Sequence, residues 1–157
     1  MVYIYDLSFD RLIEAEIVLA EGKMPFKKDG WQFDWNELIK NANTKTYILR
    51  IKESKSIEGI LQLRIENDML IMDVVEIAPR NIGSDNKRFD FVAGCLIAFG
   101  CRESFKLDGD YKGFLTFVSK TRWIKWYQEK YGATMALGQR MYFDPEIGLE
   151  LIKKYLG

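Results

Sequence analysis

Hydrophobic positions change their period several times along the chain, and each change marks an element. Residues 2–6 (VYIYD) alternate as a short strand. The spacing of Leu12, Ile13, Ala15, Ile17, Val18 and Leu19 predicts a helix opened by Ser8 and ended by Gly22. Residues 23–33 (KMPFKKDGWQF) then read as a loop whose apolar side chains pack over a neighbouring surface. Asp34 caps a second predicted helix, WNELIKNA. Residues 45–52 alternate, with Tyr47, Leu49 and Ile51 on one face. Residues 56–67 place Ile60, Gln62 and Arg64 opposite Leu61, Leu63 and Ile65, and Glu66-Asn67-Asp68 is a hairpin signal. The almost unbroken apolar run 69–78 reads as a central buried strand, ended by Pro79.

A polar loop (80–91) leads to helical spacing over 92–105, where Val92, Leu96, Ile97 and Phe99 form an apolar face. Residues 111–120 read as a strand. Residues 121–132 read as an amphipathic helix opened by Thr121 and closed by Gly132. Residues 133–144 form two strands turning at Gly138-Gln139, and Asp144 caps a last helix that has Pro145 at its first position. The order β-α-α-β-β-β-α-β-α-β-β-α implies an α/β (α+β) fold: a mixed, mostly antiparallel sheet of about six to seven strands flanked by helices. One strand-loop-helix-strand crossover within it must be parallel.

The 157 residues fit one domain over 1–157, with a core large enough to need no staple. Lys plus Arg (23) equals Asp plus Glu (23), so no general attraction to nucleic acid or acidic membranes is expected, and any anion site must be local. The absence of His removes Ser-His-Asp and Cys-His catalysis and His-ligated zinc. Cys95 and Cys101 lie six apart on one predicted helix, about 9 Å along its axis, too far to bridge, and are expected as buried reduced thiols. There is no basic leader segment and no apolar run near the ~20 residues of a membrane span, which points to a cytoplasmic protein.

A helix start with Lys87 and Arg88 immediately before it suits a pyrophosphate, because the first amides of a helix have no internal acceptor. Solvation of a loop by the same pair is the plainer alternative. From this point the chain resembles the GNAT superfamily of N-acetyltransferases. Ile77-Ala78-Pro79 resembles the V-x-P part of that family's acetyl-CoA signature. Arg88-Phe89-Asp90-Phe91-Val92-Ala93, followed by Leu96-Ile97, resembles [RQ]-x-x-G-x-[GA]-x-x-x-L. The first glycine of that loop is Phe91 here. Its ring would have to point away from a ligand, and a positive φ there would cost about 1–3 kcal/mol.

The resemblance implies acetyl-CoA as acyl donor, held by Ile77, Pro79, Lys87, Arg88, Phe89, Phe91, Val92, Ala93 and Gly94, with Ser119 and Thr121 against the pantetheine arm. It implies direct attack by an amine of a small molecule or protein, in a ternary complex. The base candidates are Glu76 and Asp73, which plain alternation puts on opposite faces of their strand. Tyr127 is the candidate acid in W-Y-Q-E-K-Y-G. Alignment on Gly132 puts Gln128 there instead, and Tyr127 packed beside Trp123 and Trp126 is the structural alternative. In the family the segment after the first helix lines the acceptor site; here it holds Met24, Pro25, Phe26, Trp31 and Phe33, an aromatic lid. A second reading is a weakly active or inactive GNAT-like scaffold that binds a protein. An exposed sheet edge is compatible with a homodimer.

Overall fold

The computed structural model describes residues 2–83 and 85–157. Val2–Asp6 (β1) and Arg11–Leu19 (β2) form an antiparallel hairpin with Asp6 opposite Arg11. The predicted first helix is therefore a strand. The Asp6 carboxylate accepts the amides of Ser8 and Phe9 and closes the turn, with Asp10 at φ 51°. Ser8 thus lies inside a strand connection, not at a helix start. Ile13, Ala15 and Ile17 alternate into the main core, and Val18 packs on the other face. A period of two fits these β-branched residues as well as the helical count, and pairing with neighbours on both sides decides.

The next segment carries one 3-10 turn and a four-residue helix, Trp35–Leu38 (α1), shorter than expected but capped by Asp34 as predicted. Thr44–Ile51 (β3), Ile57–Glu66 (β4) and Met69–Ile77 (β5) form an antiparallel meander. Asn67 and Asp68 take φ of 52° and 62° in the β4–β5 hairpin, as a tight two-residue turn requires. Phe89–Asp90 (β6) pairs with the free edge of β1. Val92–Ser104 (α2) leads to Leu115–Val118 (β7), parallel to β5. Ile124–Tyr131 (α3), Thr134–Met135 (β8), Arg140–Phe143 (β9) and Pro145–Leu156 (α4) complete the chain.

The described residues form one nine-stranded sheet ordered β6-β1-β2-β3-β4-β5-β7-β9-β8. The strands beyond the expected seven are β2, formed from the predicted helix, and β6, formed within the polar loop. The mixed, mostly antiparallel sheet with flanking helices is otherwise as the hydrophobic pattern implied.

One face of the sheet is covered by α2 and α4. Most of α2 is buried on all sides, and its glycines set how closely its neighbours approach. A Cβ on Gly94 would lie 2.3 Å from the Tyr155 ring of α4, and one on Gly100 would lie 2.9 Å from Leu115 of β7. Cys95 and Cys101 are free and buried here. The other face is covered by residues 20–43, whose Met24, Trp31 and Trp35 bury Ile48, Ile60 and Ala78. No described helix is long and apolar enough to cross a membrane.

Candidate functional site

β5 and β7 pair only at Leu70–Leu115 and Ile71–Thr116. Beyond that they part, and the opening is a cleft of about 770 Å³. Its floor is Met72–Ile77, one wall comes from Asn81–Gly83, Lys87, Phe89–Asp90 and the head of α2, and the other from Phe117–Lys120, α3 and Tyr155. Parallel strands that separate leave backbone groups unpaired, and such a gap between strand ends is where a ligand can enter a sheet.

A bulge in β5 sets the chemistry of the floor. Leu63 pairs with Met72 and Gln62 with Val74, so Asp73 is the extra residue. Past the bulge the alternation is reset, and Asp73 and Glu76 both line the cleft instead of facing opposite sides. Asp73 sits where the strands part and accepts from Arg64 Nε at 2.8 Å. Glu76 is 8% exposed. Its Oε2 accepts the Gln32 amide at 2.6 Å, and its Oε1 accepts Trp35 Nε1 at 2.8 Å and the Phe33 amide at 3.3 Å.

At the mouth, Phe91 stands at the head of α2 with φ 76° and ψ 1°, the left-handed conformation that a glycine adopts without strain. Its ring turns toward Tyr5 and Tyr155, with centroids 6.0 and 6.2 Å away. Its amide donates to the Asp90 carboxylate at 2.8 Å, and Lys87 Nζ lies 3.1 Å from the same oxygen. Burial raises the Asp90 pKa, but the Phe91 amide and Lys87 outweigh it and leave the group below the usual aspartate value. The amides of Val92, Ala93 and Gly94 open the helix, ahead of any intrahelical acceptor.

The structure separates the residues expected to bind a donor. Ile77, Lys87, Phe89, Phe91, Val92, Ala93 and Ser119 line the cleft. Arg88 does not: it pairs with buried Asp6 (Nε–Oδ1 3.1 Å) and lies over the Phe9 and Phe89 rings. Its hydrogen bond is the main reason the Asp6 carboxyl is held below the ordinary range. Pro79 lies against Gly30 on the far face, with an added Cβ on that glycine 3.0 Å from the ring. Gly94 faces Tyr155. Thr121 opens a 3-10 turn ahead of α3, and instead of capping it accepts from Gln139 Nε2 at 2.7 Å.

Of the acceptor-side candidates, Phe33 lines the cleft. Trp31 is buried in the second core, and the Phe26 ring lies outside the cleft beside Lys23 and Lys28. Tyr127 lines the cleft and Gln128 does not. The Tyr127 ring packs on Phe117 and Trp126, and burial raises its pKa. Both readings of this tyrosine thus describe one position. The sequence reading missed Lys130, Tyr131, Lys154 and Tyr155, which also line the cleft. Aromatic-basic pairs at 130–131 and 154–155 were the available signal, but pairs of this kind are common on solvated helix faces.

No family model and no curated protein matches the sequence. Solved structures do. AtaTR bound with acetyl-CoA aligns with a TM-score of 0.58 at 10% identity, over 88% of this chain and 98% of that one. A protein from Exiguobacterium sp. 255-15 aligns with a TM-score of 0.57 at 10% identity, over 88% and 98%. Mutant forms of the spermidine/spermine N-acetyltransferase SpeG from Vibrio cholerae align with a TM-score of 0.54 at 14% identity, over 87% and 98%. The chain has the GNAT fold. Identities this low establish the architecture and leave the chemistry to the residues. At the head of α2 the left-handed Phe91 has its amide capped by the Asp90 carboxylate.

Proposed function

We propose that this GNAT-fold chain transfers an acetyl group from acetyl-CoA to a primary amine by direct attack in a ternary complex. The observation that carries the reading is the parting of β5 and β7 into a cleft that runs to the head of α2. The residues present fit such a donor. The amides of Val92 and Ala93 and the ammonium groups of Lys87, Lys130 and Lys154 are suited to its phosphates. Ile77, Phe117 and Ser119 are suited to its pantetheine arm. Bound acetyl-CoA would supply the activated thioester.

This chain's own groups handle the protons. Asp73, at the bulge where the strands part, is the proton acceptor for the amine. The Tyr127 phenol, like any ordinary phenol, holds its proton at neutral pH, burial raises its pKa further, and that proton is the one offered to the departing thiolate. The alternative reading, a binding scaffold with little or no activity, draws on one observation: the Asp90 carboxylate already satisfies an amide at the head of α2.

Thermal unfolding with acetyl-CoA separates the two. At a hundred times Kd the ligand should add about 2.7 kcal/mol, or about 5–10 °C in Tm for a chain of this size. Thiol release with amines should accompany it and should fall sharply in Asp73→Asn. No shift at millimolar acetyl-CoA rejects the enzyme. A shift without thiol release across small amines and lysine peptides favours the scaffold.

A further inference from the structure

Glu76 is the carboxylate that a strand-end reading selects as a base, yet its lone pairs point elsewhere. The amides of Gln32 and Phe33 and the indole of Trp35 all donate to it across more than forty residues of sequence. An ionised carboxylate offers about four acceptor sites, and three are filled by one strap of chain. That strap has little structure of its own. It lies between a three-residue 3-10 turn and a four-residue helix, too short to hold themselves. Trp35 is 0% exposed, so its indole N–H would be left unpaired in the core without the carboxylate.

The strap residues that Glu76 holds, Gln32 and Phe33, line the cleft. Phe33 is 39% exposed and lies edge-on to Trp35. The opposite wall carries Val118, Trp123 and Trp126, with Lys120 and Arg122 beside them. Asp73 lies on the floor.

We propose that Glu76 is a positioning residue, a latch that holds the 32–35 strap as the acceptor-side wall, and that the wall selects a primary amine on an aromatic or apolar body. The acceptor part rests on the acetyltransferase reading; the latch does not. An ammonium approaches Asp73, and its apolar body lies between Phe33 and the tryptophan wall. A second ammonium would meet Lys120 and Arg122, so polyamines fit poorly.

Amide and indole signals of Gln32, Phe33 and Trp35 in wild type and Glu76→Gln test the latch. A glutamine side chain turns an acceptor into a donor and cannot satisfy all three groups. Their hydrogen-exchange protection should fall at least about tenfold, while that of Leu61 in β4 stays unchanged. Equal protection in both proteins overturns the latch. If Glu76→Gln does not fold, Trp35→Phe removes a single donor. Phe33 and Gln32 should then keep their protection, and loss of both would overturn the carboxylate as their anchor.

The wall is tested by titrating 2-phenylethylamine and putrescine against the same signals. The aromatic amine should bind wild type and weaken at least about tenfold in Glu76→Gln, with putrescine the weaker ligand throughout. Equal binding to both proteins, or tighter binding of putrescine, overturns the wall. The acetyl-CoA shift in Tm should survive in Glu76→Gln, and its loss there alone would overturn the assignment of Glu76 to the acceptor side. Absence of that shift in wild type as well would reject the acetyltransferase reading and leave the exchange result standing.

Discussion

The two faces of the sheet are covered by different means. The face under α2 and α4 is held by two helices of 13 and 12 residues, α2 packed on the strands and α4 packed mainly on α2. The face under residues 20–43 is held at a few points, chiefly Met24, Trp31 and Trp35 in the core and Glu76 beneath them. A surface held everywhere is rigid and tolerates the loss of one contact. A surface held at points can position a loop over a cleft, and each point matters more.

The largest effect should come from the point-held face. Trp35→Ala empties a fully buried site and orphans part of the Glu76 carboxylate, and should cost about 3–5 kcal/mol in urea unfolding. A cost below that of Asp144→Ala, a helix cap worth about 1 kcal/mol, would show that this face is not a second core. On the helix-held face, Gly94→Ala drives a methyl into the Tyr155 ring and should cost about 1–3 kcal/mol. A neutral result there would mean that α4 slides freely on α2.

A smaller effect is expected at the head of α2. Phe91→Gly should be about 1 kcal/mol more stable than Phe91→Ala, because the alanine keeps the left-handed strain and both lose the ring. Equal stability would remove the strain from the account.

The smallest effect concerns the thiols, which burial pushes up to about 12 from an ordinary 9. A raised folded pKa means that their contribution is complete below pH 9 and is lost as the pH climbs toward 12. At pH 8 a thiol reagent should label neither cysteine until the chain unfolds. Prompt labelling would show that the helix face opens as readily as the strap.

Much of the helix-held face was legible in the sequence. Asp144 with Pro145, Gly132 at the end of α3, and the apolar spacing from Val92 are local signals that act on their own helices. The strands with clear alternation were legible for the same reason. The misreadings share a different cause. Leu12 to Leu19 satisfy two periods at once, and only pairing with β1 and β3 selects the strand. The bulge at Asp73 depends on a register with β4 that no local pattern records, and it carries Asp73 to the side of Glu76. Arg88 looked free because its partner, Asp6, lies eighty-two residues away. Positive φ at Phe91 was foreseeable only as a consequence of the family resemblance, and the structure contains it.

On the proposed function, the gap between β5 and β7 receives the acyl donor. Amide shifts on titration with acetyl-CoA test it directly. The perturbed residues should concentrate at Met72–Val74, where the strands part, and at Val92 and Ala93, at the head of α2, with little change at Leu12 or Leu156 in the groove outside. Perturbation confined to that outer groove, with the residues at the strand parting unmoved, would contradict it.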